Sequence, residues 1–147
     1  METKVRCVSY ADEFSISKSS LKDLEIGHEH RMVGCNSKVF GASKRNDFVI
    51  ITATHNRKRY AIIGLLKDKL DSCDLWHRHG GHLWKYNYTY VSLTEIFEVT
   101  NQIKEKIAEF CLEEPKKPNP VQMMNSRLCG IRYKNVVLKL VNFLNDQ

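Results

Sequence analysis

Residues 47–66 read "DFVIITATHNRKRYAIIGLL", and the fold follows from how they pair. Two β-branched, apolar runs, "DFVIITAT" and "RYAIIGLL", are separated by the polar stretch "HNRK". This pattern predicts a β-hairpin with a basic tip. The apolarity is continuous rather than alternating, so both faces of each strand need cover. The hairpin therefore belongs at the centre of a sheet that curls or is overlaid. Gly64, late in the second run, suits a bulge or a close backbone approach.

Outward from the hairpin, "KVRCVSYA" (4–11) alternates apolar and polar residues and reads as a first strand, with Val5, Cys7 and Ser9 facing one way. "SKSSLKDLEIG" (17–27) has serine caps, Leu21 and Leu24 at helical spacing and Gly27 as a stop, which predicts a short helix. "HRMVGCNSKVFGASKRND" (30–47) predicts a loop or short helix over one face. Downstream, "YNYTYVSLTEIFEV" (86–99) reads as one long strand. "TNQIKEKIAEFCLEE" (100–114) is an amphipathic helix, with Ile103, Ile107 and Phe110 on its apolar side and Thr100 or Asn101 as cap. "PKKPNP" (115–120) is a break, and Tyr133, Val137, Leu140, Val141 and Leu144 form the stripe of a last helix that docks on the body. These pieces predict an α+β fold: a small curved β-sheet or open β-barrel with flanking helices, the main domain over 1–114 and a docked tail over 115–147.

At 147 residues, with 42% hydrophobic and 27% charged side chains, the chain fits one globular domain. It has no apolar run of membrane-spanning length and no signal-peptide pattern at its start, so an intracellular location is expected. The five cysteines are widely spaced, odd in number and never in a Cys-x-x-Cys pair, which argues for reduced, buried thiols.

The net charge of +6 is unevenly spread. Residues 1–30 carry four basic and six acidic side chains. Residues 38–60 carry Lys38, Lys44, Arg45, Arg57, Lys58 and Arg59 against Asp47 alone. Such an excess suits a polyanion, nucleic acid first, because each neutralised phosphate releases counterions. A solvated turn is the plainer alternative.

"DLWHRHGGHLWKY" (74–86) holds three histidines and both tryptophans. His77, His79 and His82 could bind a metal as neutral imidazoles, but the Gly-Gly pair leaves the third unplaced and no fourth ligand is evident. A ββα metal nuclease would need a helix where the following segment reads as strand. Trp76 and Trp84, with Tyr86 close behind, suit stacking on a base, which is worth about 1–3 kcal/mol; one tryptophan and alternate tyrosines could instead be core, the better reading for Tyr88 and Tyr90.

The order of features resembles a family. A polar "GCNSKVF" precedes "KRNDFVIITAT"; then come a basic tip, "RYAIIGLL", a "DLW" excursion and "WKYNYTYVSL". This is similar to the PUA-like superfamily, in particular its EVE and YTH branch, over roughly residues 3–100. The resemblance implies a small β-barrel with a pocket for a single base, often a modified one. By position it places Ser9 and Tyr10 near the pocket, Asn36 and Ser37 at the base edge, and Trp76 and Trp84 as stacking walls. Asn46-Asp47 stands where the family usually has Gly-Asp, and the histidine-rich insertion has no family counterpart.

The sequence thus points to a non-catalytic nucleic-acid-binding module that reads one flipped or unpaired, plain or modified base. Trp76, Trp84, Tyr86, Ser9, Tyr10, Asn36 and Ser37 would form the pocket; Lys38, Lys44, Arg45, Arg57, Lys58 and Arg59 would hold phosphates. The expected partner is DNA or RNA, with no membrane and no cofactor, and a protein partner could supply catalysis. The rivals are a small metal-dependent nuclease or base-processing hydrolase using His77, His79 and His82, and a protein-interaction module or inhibitor.

Overall fold

The computed structural model describes residues 4–10, 31–70, 85–112 and 134–147. Among them run β1 (Val5–Tyr10), β2 (Arg31–Cys35), α1 (Lys38–Gly41), β3 (Phe48–His55), β4 (Lys58–Leu70), β5 (Tyr86–Ser92), β6 (Phe97–Glu98), α2 (Asn101–Cys111) and α3 (Lys134–Asn145). The six strands form one mixed, open sheet in the order β1-β3-β4-β5-β2, with β6 added to β4. Only β1 and β3 are parallel. The sheet curls enough to bring its two edge strands, β1 and β2, within 8 Å of each other without pairing.

The β3–β4 hairpin is central, as the apolar runs require. Its register joins Phe48 to Leu65 and His55 to Lys58, so the turn itself is Asn56-Arg57. Both turn residues are left-handed, with φ of 51° and 64°, the paired positive values of a type I′ hairpin turn. Phe48, Ile50, Ala61 and Ile63 face one side, where α2 and α3 cover them with Ile103, Ile107, Val136, Val137 and Leu140. Val49, Ile51, Ile62 and Leu66 face the concave side, with Val8, Val33, Tyr88 and Tyr90. Phe40 of α1 closes that second core, edge-on to Tyr88 with ring centres 5.1 Å apart. Two-sided burial is what continuous rather than alternating apolarity records.

Gly64 is a close approach: a Cβ there would lie 2.6 Å from the Val91 carbonyl oxygen. Val5 and Cys7 share a face, packed against the helix-side core. α2 is capped by Thr100, whose hydroxyl accepts from the Ile103 N–H at 3.3 Å. α3 docks in the same core as α2.

Two expectations need correction. The segment expected as loop or short helix after His30 holds α1 but also the strand β2, which antiparallel pairing with β5 imposes on five residues including Gly34. The expected single strand over 86–99 is two. The Ile63 N–H bonds to the Thr94 hydroxyl at 3.2 Å. A side chain thus stands in for the ladder carbonyl, and pairing lapses until Phe97. The helix expected over 17–27 and the break at 115–120 lie outside the described residues.

Candidate nucleic-acid interface

One end of the concave side gathers α1, the loop after it, the far end of β4 and the start of β5. Asn36 accepts a hydrogen bond from the Lys85 N–H through Oδ1, at 2.8 Å. The Tyr86 ring lies directly on Gly41, where a Cβ would come within 2.6 Å of it. The buried Tyr88 hydroxyl reaches the carbonyl oxygens of Gly41 and Ser43 at 3.0 and 3.2 Å. Asn36, Ser37 and Tyr86 therefore share one end of the fold, with Asn36 and Ser37 exposed and Tyr86 half-buried. Burial raises the Tyr88 phenol above its ordinary pKa, Asp47 and Tyr86 add to the rise, and Arg6 opposes it. The phenol is held neutral, the form that donates to those carbonyls.

A β-bulge shapes this end. Leu66 pairs with Tyr90, but Lys69, three residues on, pairs with Tyr88, two residues back, so Lys67 and Asp68 together oppose Thr89. The Asp68 N–H bonds to the Thr89 hydroxyl at 2.9 Å instead of to the ladder. The extra residue changes the face that Lys69 presents. Its Nζ lies 5.4 Å from the Tyr86 ring centre and 6.0 Å from that of Tyr88, and donates to the Gly41 carbonyl at 3.3 Å. Lys85 Nζ lies 5.5 Å from the same Tyr86 ring centre. Both geometries fall within cation–π range.

The turn into β3 is held from several sides. Asn46 is left-handed at φ 71°, a conformation glycine adopts without penalty and asparagine tolerates. Asn46-Asp47 thus turns the chain as Gly-Asp would. Asp47 is buried and accepts from the Lys4 N–H at 3.1 Å and the Lys44 N–H at 2.9 Å, with Arg6 Nε 3.6 Å away. Lys67 donates to Asn46 Oδ1 at 2.6 Å, and Arg45 pairs with Asp68 at 2.6 Å.

The basic segment 38–60 does not stay together in space. Lys38, Lys44 and Arg45 lie at the α1 end; Arg57 and Lys58 lie past the other end of β3, about 23 Å away at the usual strand rise. Arg59 belongs to β4 rather than to the turn and donates to Thr52 and Thr54 hydroxyls at 2.9 and 3.2 Å. Sequence reading missed Lys67, Lys69 and Lys85, which join Lys38 and Lys44 through strand pairing; the lysines of "LKDKL" were the available signal. Backbone positions place Ser9 and Tyr10 at the end of β1, opposite Thr52 and Ala53, and their side chains lie outside the description. Trp76, Trp84, His77, His79 and His82 lie outside the described residues. Among the described residues no group of three His, Cys, Asp or Glu side chains could hold a metal ion, and no helix is long and apolar enough to cross a membrane.

No protein-family model, curated protein or solved structure matches the chain. The α+β class with a mixed, curled sheet is established by the fold itself.

Proposed function

We propose that this protein is a PUA-like nucleic-acid-binding module that reads a single flipped or unpaired base. The observation that carries the reading is the concentration of cations at the α1 end. Lys38, Lys69 and Lys85 are exposed there, and among the described residues none of the three has a carboxylate partner. Among the described residues, the carboxylates of this end, Asp47 and Asp68, already face Arg6 and Arg45. A polyanion is the partner that such a surface lowers in energy, and counterion release makes its binding salt-dependent.

Two further features favour nucleic acid over a plain acidic protein. Val39, 65% exposed, stands beside Lys38 in the cationic surface, and Tyr86 is half-buried among the same lysines. Nucleotides present apolar base faces between charged phosphates, and a mixed apolar and cationic surface matches both parts. The curled sheet and the Gly-Asp-like turn at Asn46-Asp47 support the PUA-like assignment. The base itself would be read by Trp76, Trp84 and Tyr86, with Asn36 and Ser37 at its edge.

The test is fluorescence anisotropy with oligonucleotides carrying a plain, a modified or an unpaired base. Trp84→Ala should abolish the preference for one base and leave salt-dependent background binding. Equal loss of binding to every oligonucleotide would remove the tryptophan from base reading, and no binding by the intact protein would end the proposal.

A further inference from the structure

Among the exposed cations, Lys69 and Lys85 are set apart by what surrounds them. Each ammonium lies within 5.5 Å of the Tyr86 ring centre, so the two are no more than about 11 Å apart. That upper limit is comparable to the Debye length of about 10 Å at 0.1 M salt, so both charges add to one local positive potential. The bulge between Leu66 and Lys69 determines that Lys69 rather than Asp68 stands opposite Tyr88. Bulges recur at binding sites because one inserted residue re-aims a side chain.

The polar atoms around this pair are also one-sided. The Gly41 carbonyl already accepts from Lys69 and Tyr88. Asn36 Oδ1 already accepts from the Lys85 N–H, which fixes the side-chain amide with its NH2 group as the end left over. Ser37 makes no side-chain cap bond to α1, so its hydroxyl can donate. The Gly41 and Asn36 oxygens are engaged, while two ammonium groups, an amide and a hydroxyl remain to donate. Such a surface is matched to an anion whose oxygens all accept.

We propose that Lys69 and Lys85, with Asn36 and Ser37, form a phosphate clamp beside Tyr86. The clamp rests on the nucleic-acid reading and sharpens it: the clamped group is a backbone phosphate next to the recognised nucleotide. The same oxygens occur on a free phosphate or a mononucleotide, so the sources are separated by experiment.

Full-length protein, Lys69→Gln/Lys85→Gln and Lys104→Gln as control are titrated with a labelled single-stranded 12-mer over a range of salt concentrations. Single strands lose about 0.7 in log–log slope per phosphate contact, so release of the one clamped phosphate should lower the slope of the double variant by about 0.7 while the control keeps the wild-type slope. An unchanged slope in the double variant overturns the clamp. So does a slope lost only in Arg57→Gln/Lys58→Gln. In a second arm, inorganic phosphate and adenosine monophosphate are added to 15N-labelled protein. Should the 12-mer fail to bind, phosphate-dependent shifts at Ser37 and Lys85 that vanish in the double variant would retain the clamp while the nucleic-acid reading falls. Silence in both arms overturns it.

Discussion

Lys69 stands opposite Tyr88 in the β4–β5 ladder, a place that unbroken pairing from Leu66 and Tyr90 would have given to Asp68. One inserted residue therefore exchanges an acid for a base on the concave side. Asp68 is displaced to pair with Arg45, and the cationic character of this end depends on the exchange.

The contact between Gly41 and Tyr86 leads to the first prediction. A methyl group at 41 would overlap the ring of Tyr86, which also contacts Lys69 and Lys85. Gly41→Ala should destabilise by about 1–3 kcal/mol, the usual range for overpacking, and weaken oligonucleotide binding as well. Urea denaturation with anisotropy on the same samples measures both. Unchanged stability would show that the ring is not seated on the glycine.

Asp47 fastens β1 to the turn before β3 through Lys4, Lys44 and Arg6. Its removal strands a largely buried guanidinium and two backbone donors. Asp47→Ala should cost about 3–5 kcal/mol, as expected when one member of a buried pair is deleted. Asp47→Asn, which keeps an acceptor, should cost less. Chemical denaturation checks the order of the two variants.

The Tyr88 phenol gives a signed pH dependence. Its pKa is raised in the folded protein, chiefly by burial, so above the ordinary tyrosine value of about 10 the folded state holds more protons than the unfolded state. Its stabilising contribution is complete below that value and is lost as pH rises through the folded pKa. Tyr88→Phe should cost about 0.5–1.5 kcal/mol at neutral pH for the lost hydrogen bond. It should also show a shallower alkaline decline than wild type. Parallel stability curves up to high pH would contradict the assignment.

Much of the fold was legible because it is local. Continuous apolarity in "DFVIITAT" and "RYAIIGLL" gave the central hairpin, Thr100 the start of α2, and Gly64 the close approach to β5. The sequence also named Asn36, Ser37 and Tyr86, which the fold brings to one end, but it grouped Arg57, Lys58 and Arg59 with Lys38, Lys44 and Arg45 in one basic patch that the fold divides. What escaped was non-local. β2 is a strand because β5 pairs with it, although Gly34 and the Asn36-Ser37 pair that follows favour a loop. The bulge at Lys67-Asp68 has no composition of its own, yet it decides the face of Lys69. Charges of one basic segment, Lys44 and Arg57, separate to opposite ends of β3, while Lys85 joins Lys38 across the fold.

Arg57 occupies a left-handed position, φ 64°, at the second site of the hairpin turn, where glycine is favoured. An L side chain there costs about 1–2 kcal/mol, more than the flexibility glycine adds to the unfolded chain. Arg57→Gly should therefore raise the thermal midpoint by a few degrees, and a lower midpoint would contradict the turn assignment.

The central claim is that nucleic acid lies on the α1 end of the concave side. Amide chemical-shift mapping of 15N-labelled protein during titration with an oligonucleotide tests it most directly. The account predicts shifts clustered at residues 36–41, at Lys69 and at Lys85 and Tyr86. Shifts confined to the turn at Asn56-Arg57 or to the outer faces of α2 and α3, or no shifts at all, would contradict it.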